Sequence, residues 1–411
     1  MIFQLREDAD SIIAAALQAV MPEQAVRQAL TRSFTRPPGR LIMIAAGKAA
    51  GRMAQAAYEL LGDQISSGLI ISKYGHLPGP IGPFTCIEAG HPIPDENSFE
   101  AARQALDLVR PLGQADQVLF LLSGGASSLF EWPLIPPAEL QAITRQLLSS
   151  AASITEINCL RKRFSGVKGG RFAAACAPAA VFTVVLSDII GDPLDMIASG
   201  PTTADRSTSK QAAAIAARYQ LKLSAAARAC LAKETPKKLE RVQTVVTGSV
   251  RALCEAAAAA CRQSGYETLI LTDHLDCEAR EAGRFLADIA QTHAGQGRRL
   301  AFIAGGETVV HLTGQGKGGR NQELALAAAA SLPPCCAVFS LGSDGTDGPT
   351  DAAGAYVDSE SLDALTRAGF DLYQVLKDNN AYPALQATGG LIMTGPTGTN
   401  VNDVSVLLVD R

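Results

Sequence analysis

The sequence predicts an α/β protein of two domains: a large, doubly wound, Rossmann-like α/β/α sandwich over residues 1–235 and a smaller α/β domain with a mixed sheet over residues 236–411, with the active site in the interdomain cleft. Three observations predict it. Short apolar runs that end in glycine alternate with longer Ala-rich stretches of helical spacing, the pattern of parallel strands joined by helices. At 411 residues the chain is longer than one hydrophobic core organises. Finally, the most charged short stretch, 233–241 (KETPKKLER), carries a proline and reads as a linker.

Taken in order, the first unit is a strand at 41–46, the turn Gly47-Lys48 and a helix at 49–61. Strands follow at 68–73, 84–88, 117–122 and 181–187, with helices at 96–109, 138–151 and 170–175 between them, so one doubly wound sheet fills the first 230 or so residues. Beyond the linker the spacing tightens: strand 242–246, helix 250–262, strand 268–272, helix 278–292 and strand 300–304. A short apolar piece at 309–312 reads as a hairpin arm, then come helix 321–331, strand 337–341 and a closing strand at 404–409.

Composition excludes several classes. A hydrophobic fraction of 47% with 18% charged residues describes a folded chain, and a net charge of −4 gives no general attraction to nucleic acid or anionic lipid. The N-terminus turns acidic within ten residues and shows no secretion signal, and the longest apolar runs, 177–186 and 325–332, are too short and Ala-rich to span a bilayer. Nine cysteines without a Cys-x-x-Cys pair point to reduced thiols in a cytoplasm, not to a disulfide framework or a zinc site.

In open α/β sheets ligands sit beyond the carboxyl ends of the strands, so the strand ends carry the functional reading. The densest is 304–323, AGGETVVHLTGQGKGGRNQE, where Gly316, Gly319 and two further glycines surround Lys317 and Arg320 at the start of a helix that opens with Asn321. Glycines let backbone N–H groups approach an anion, and a helix N-terminus and cations add charge. Gly47-Lys48 sets an ammonium at a helix start; the plainer reading is a solvated lysine. Ser123-Gly124-Gly125-Ala126-Ser127 forms a plausible phosphate or oxyanion cradle, or else a tight structural turn. Arg161, Lys162, Arg163, Lys168 and Arg171 put five cations within eleven residues, broken by Gly-Gly, which favours close approach of a carboxylate or phosphate over a generic basic face. Acidic loops at Asp188 and Asp192, at Glu307 and at Asp344 supply hard oxygen ligands of the kind Mg²⁺ takes together with substrate phosphates. His91, in a Pro-flanked turn, either positions substrate or makes a structural hydrogen bond. Gly314-x-Gly316-x-x-Gly319 formally matches the dinucleotide fingerprint, but its lead-in is too short for the first strand of a βαβ unit, and no Walker A pattern is present.

In sequence order the segments AAGKAAGRMA, EAGHPIPDENS, LLSGGASSLFEWP, INCLRKRFSGVKGGRFA, VLSDIIGDPLDMIASGPT, AGGETVVHLTGQGKGGRNQE, SLGSDGTDGPTDAAGAYVD, KDNNAYPAL and TGPTGTNVND resemble glycerate 2-kinases of the MOFRL type, a group often labelled hydroxypyruvate reductases. The resemblance covers nearly the whole chain. One departure is SGGASS, where the family often has a third glycine. It implies two α/β domains flanking a cleft, ATP and Mg²⁺ as co-reactants, D-glycerate as the small-molecule substrate and 2-phosphoglycerate as product; a homodimer is compatible with it. The family's cleft Lys and Arg fall on Lys48 and Arg320. On that basis Lys48 and Arg320 are expected to stabilise the transferring phosphoryl group, and Asp188, Asp192, Glu307 and Asp344 to hold Mg²⁺. Arg161 or Arg171 is expected to clamp the glycerate carboxylate, with Gly47, Ser123, Gly124, Gly125, Ser127, Lys168, Gly316, Lys317, Gly319 and Asn321 around the phosphates. The rivals are a nicotinamide-dependent hydroxypyruvate reductase, resting on the glycine fingerprint, and a non-enzymatic phosphosugar-binding module. Regiochemistry, position 2 against position 3, rests on the resemblance alone.

Overall fold

The computed structural model describes residues 3–77 and 79–411. In chain order the elements are α1 (Phe3–Ala19), α2 (Pro22–Ser33), β1 (Leu41–Ala46), α3 (Ala50–Leu61), β2 (Ile65–Lys73), β3 (Thr85–Ala89), α4 (Glu96–Val109), β4 (Gln117–Leu122), α5 (Ala126–Leu129), α6 (Pro137–Ser149), α7 (Ile154–Phe164), α8 (Arg171–Cys176), β5 (Ala180–Leu186), α9 (Ser209–Arg218), α10 (Ala225–Ala232) and β6 (Val242–Gly248). They continue as α11 (Val250–Gln263), β7 (Glu267–Leu275), α12 (Ala279–His293), β8 (Leu300–Gly306), α13 (Arg320–Ala328), β9 (Cys336–Gly342), β10 (Gly354–Asp358), α14 (Ser361–Arg367), α15 (Leu372–Lys377), α16 (Ala381–Thr388), β11 (Leu391–Ile392) and β12 (Asp403–Val409). The chain divides into two compact units, Pro22–Thr247 and the residues up to Met21 with Gly248–Arg411. Among the described residues no helix is long and apolar enough to cross a membrane.

In the unit Pro22–Thr247 six strands form one sheet in the order β3-β2-β1-β4-β5-β6, and β1 to β5 pair in parallel. Every residue of β1 is buried, and so are all but the first of β4 and of β5, as parallel strands covered on both faces require. The order runs outward in opposite directions from β1 and β4, which places a topological switch point between them. Phe120, Phe130 and Phe172 meet at ring centroid separations of 5.0 to 5.7 Å under the sheet. A satellite core joins α6, α7, α9 and α10 through Leu140, Ile143, Leu147, Leu160, Phe164, Ala212 and Leu231.

The other unit has the mixed sheet β11-β10-β9-β12-β8-β7, with β7 and β8 parallel and the remaining pairs antiparallel. β12 lies between β9 and β8 and is buried along its whole length. Helix α1 belongs to this unit and packs on α11.

The division differs from the expected boundary at 235/236 in two ways. The strand after the linker, β6, completes the first sheet instead of opening the second. α1 joins the distant C-terminal segment because its buried face needs a partner and Asp8 finds one there: it accepts from Tyr266 Oη at 2.7 Å and Arg299 Nη2 at 2.5 Å, while Arg299 Nε reaches Asp410 at 3.0 Å. The apolar piece 309–312 is not a strand; it makes a single bridge, Val309 to Glu278.

Asp8→Ala leaves a half-buried guanidinium and a phenol without their shared acceptor, so the protein is expected to lose ~2 kcal/mol of stability. Thermal unfolding should show a lowered midpoint for Asp8→Ala and an unchanged one for Glu7→Ala on the exposed face of the same helix.

Candidate functional site at the strand ends

The turns that leave β1 and β4 are tied together. Lys48 N–H donates to Gly124 O at 2.9 Å, Ala49 N–H to Ser123 Oγ at 3.1 Å, and Ser72 Oγ to Gly47 O at 3.0 Å. Gly47 has φ +130°, and a Cβ there would lie 2.2 Å from Ser123 Oγ, so only glycine fits this junction. A Cβ at Gly125 would meet the His91 ring at 3.1 Å and Lys48 Cγ at 3.2 Å, and one at Gly124 would lie 2.3 Å from Asp188 Oδ2. Residues from the ends of β1, β4 and β5 thus converge on one spot at the switch point.

Two cavities open beside it. One of about 230 Å³ is lined by Ser123, Gly124, Gly125, Ser127, Asn158, Arg161 and Asp188, with apolar residues at its back. The other, about 480 Å³, shares Gly125, Ser127 and Arg161 and extends between the His91–Pro94 turn and α6. Arg161 stands on the common wall. Among the described residues it has no carboxylate within ion-pair distance; burial lowers its pKa, opposed by the charge of Glu131. Burial, with the charges of Lys48, Lys73 and His76, also lowers the pKa of His91, which keeps the imidazole neutral near pH 7. Half-buried cations without partners are costly, so Arg161 is poised for an anionic ligand.

The neighbouring cations have other work. Lys162 and Arg163 turn inward onto Asp205, at 3.3 and 3.4 Å. Lys168, expected near the phosphates, is fully buried and bound to Glu131 Oε2 at 2.5 Å and Phe130 O at 3.3 Å, so its ammonium holds the fold. Arg171, the alternative carboxylate clamp, faces a separate cavity of about 590 Å³ with Trp132 and Arg110. It lines neither of the two cavities beside Ser123 and Gly125.

The acidic loops separate similarly. Among the described residues no three His, Cys, Asp or Glu side chains converge as a metal centre. Asp188 lies against Gly124, and Asp192 Oδ1 is buried without a partner on a backbone of φ +50°. That donor set fits an ion which takes one or two carboxylates and completes its shell with phosphate and water, as Mg²⁺ does. Glu307 is instead engaged by Arg320 Nη1 at 3.1 Å and by Asn402 Nδ2 at 3.3 Å, and Asp344 Oδ1 accepts from Thr346 N–H at 3.0 Å.

In the second unit the glycine-rich loop is not an open anion cradle. Thr313 and Gly314 N–H donate to Asn379 Oδ1, Gly316 N–H to Asp378 O at 2.8 Å, and Lys317 N–H to Asn380 Oδ1 at 3.0 Å. A Cβ at Gly314 or Gly316 would lie 2.3 or 2.4 Å from residues 378–380, so these glycines serve close packing. The α13 N-terminus already has its anion: Asp347 accepts from Asn321 N–H at 3.1 Å and Gln322 N–H at 2.9 Å, with Gly319 pressed against it. Burial pushes the Asp347 carboxyl up despite these donors. Asn321 is buried, its side chain shared between Asp347 and Ser340. Gly316 and Gly319 stay part-exposed while Asn321 is buried, and Lys317 lies over the Tyr382 ring at 4.2 Å.

Arg320 remains partly exposed and firmly held. Asp403 takes it in a bidentate pair, Nε to Oδ2 at 2.5 Å and Nη2 to Oδ1 at 3.0 Å. Burial disfavours its charge, but Asp403, Glu307 and Asp347 outweigh that and raise its pKa above the ordinary arginine value. Asp403 was not singled out in the sequence; an acid opening an otherwise apolar closing strand was the signal. Glu131, an acid inside the apolar run LFEWP, was the other.

Residues 8–232 match the family model described as a domain of unknown function, DUF4147, and residues 300–403 match the MOFRL family. The chain is 49% identical to a D-glycerate 2-kinase of Thermotoga maritima, over 98% of both chains, and 32% identical to a glycerate kinase of Homo sapiens, over 98% of this chain and 93% of that one. The crystal structure of a glycerate kinase from Thermotoga maritima superimposes with a TM-score of 0.95 at 48% identity, covering 99% of each chain.

If Asp347 is the resident anion of α13, Asp347→Ala should cost ~2 kcal/mol in denaturant unfolding. Sulfate should restore part of that loss by occupying the freed N-terminus, and should do little for the wild type.

Proposed function

The chain belongs to the glycerate kinase family built from DUF4147 and MOFRL segments, and from that premise we propose that ATP is its phosphoryl donor, D-glycerate its acceptor and Mg²⁺ the ion that accompanies the nucleotide. The activity is glycerate 2-kinase, with 2-phosphoglycerate as product. The observation that carries the assignment of the site is Arg161, a half-buried cation with no carboxylate within ion-pair distance among the described residues, beside the loops of Lys48 and Ser123.

In this reading glycerate enters the smaller cavity, and the Arg161 fork takes its carboxylate. All of the substrate's groups are polar, which suits a space lined by Ser123, Gly124, Ser127, Asn158 and Asp188. Fixing the carboxylate orients the 2-hydroxyl, and phosphoryl transfer asks the protein mainly for positioning and charge stabilisation. Lys48, flexible on a rigid turn, neutralises charge on the moving phosphoryl group, and the hydroxyls of Ser123 and Ser127 and the backbone of Gly124 and Gly125 line its path. Arg320 contributes a second cation whose orientation Asp403 fixes in advance, so little reorganisation is needed when charge develops. Asp188 and Asp192 would hold Mg²⁺, which supplies charge neutralisation at the phosphate oxygens when bound. The nine cysteines are all free thiols, in keeping with a cytoplasmic setting, which we also propose. The loop geometry speaks against the reductase: the backbone donors of Gly314 and Gly316 are spent on residues 378–380.

Incubation with D-glycerate, ATP and Mg²⁺ should yield ADP and 2-phosphoglycerate, and incubation with hydroxypyruvate should oxidise neither NADH nor NADPH. Lys48→Ala and Arg320→Ala should each lower kcat about a hundredfold or more; values within a few-fold of wild type would remove them from the reaction.

Burial raises the Asp403 carboxyl to about 6, with Asp347 and Glu307 adding to the rise and Arg320 opposing it. The pair with Arg320 therefore exists above that value and is lost as pH falls through it, so kcat should drop on the acid side with a midpoint about 6. Asp403→Asn should be slower and lack that limb. For stability the sign reverses: a carboxyl whose pKa rises on folding contributes fully below its unfolded value, and that contribution is lost as pH rises through about 6.

A further inference from the structure

The 480 Å³ cavity has a chemical character that neither glycerate nor a triphosphate explains. Ile93, Leu140 and Leu148 form apolar walls, with Ile93 63% and Leu148 62% exposed at its mouth. Large apolar side chains left open around a concave site mark a surface meant to be covered. Of the groups that take part in the kinase reaction, only the base and sugar of the nucleotide carry apolar faces. The cavity adjoins Gly125, Ser127 and Arg161, so a nucleoside seated in it would direct its phosphates toward Lys48.

Two polar groups in the cavity await partners. Glu131 is buried and its Oε2 binds Lys168, but its Oε1 has no hydrogen-bond partner. A buried acceptor left unsatisfied calls for a donor from a ligand. Gln141 on α6 makes no hydrogen bond among the described residues, and its amide offers a donor and an acceptor side by side, the pattern a base edge presents. Gln141, Thr144 and Leu148 recur at helical spacing, so one face of α6 combines a reading group with a stacking surface.

We propose that the nucleoside of ATP lies between the His91–Pro94 turn and α6, its flat face against Ile93, Leu140 and Leu148 and its polar groups on Gln141 and Glu131. This rests on the kinase reading above and assigns the nucleotide-selecting residues to α6 instead of the glycine-rich loop.

Steady-state kinetics of the full chain test it. Leu148→Glu should raise KM for ATP about tenfold and Gln141→Ala by a smaller factor, each leaving KM for D-glycerate within about twofold. Unchanged KM for ATP, or equal rises in both KM values, would overturn the proposal. Irradiation with 8-azido-ATP gives a readout independent of turnover and of any variant: label within 91–94 or 137–148 supports the site, and label confined elsewhere sinks it. Absence of any ATP-dependent phosphorylation of glycerate would instead fall on the kinase reading.

Discussion

Two hydrogen bonds across the switch point, Lys48 N–H to Gly124 O and Ala49 N–H to Ser123 Oγ, set the geometry on which the site depends. They join the turns of two parallel strands from which the strand order runs outward in opposite directions, at the place where such sheets offer a crevice. The junction tolerates no side chain at Gly47, and it brings Lys48, His91 and Asp188 around one pair of glycines.

Charge tells the same story from the other direction. Five cations crowd residues 161–171, yet burial and partners give them different fates. Lys162, Arg163 and Lys168 are compensated by buried carboxylates and stabilise the fold, whereas Arg161 pairs with none among the described residues and faces the cavities. Arg320 is a third type: doubly paired, it is preorganised, and its charge is secured by its neighbours. A cation's place in a motif does not separate these cases; the presence or absence of a carboxylate at the same depth does.

Much of this was legible in the sequence. The strand ends at Gly47-Lys48, Ser123-Gly124-Gly125 and Asp188 were readable because parallel strands leave continuous apolar runs that stop at glycine, serine or acid. The role of the loop 313–320 was not. A glycine that accommodates a phosphate and one that accommodates a neighbouring backbone look alike until residues 378–380 are seen against it. The same holds for Asp347, 26 residues from Asn321 at the helix start it caps, and for α1, whose partner Arg299 lies nearly three hundred residues away. Long-range contacts of that kind leave no local periodicity to read.

The central claim is that phosphoryl transfer occurs at the carboxyl ends of β1, β4 and β5. Diffraction from crystals grown with ADP and D-glycerate tests it most directly. The account predicts phosphate density against Ser123–Ser127 and Lys48, with the glycerate carboxylate on the Arg161 guanidinium. Phosphates bound to the backbone amides of residues 314–319, with the Arg161 cavity left to solvent, would contradict it.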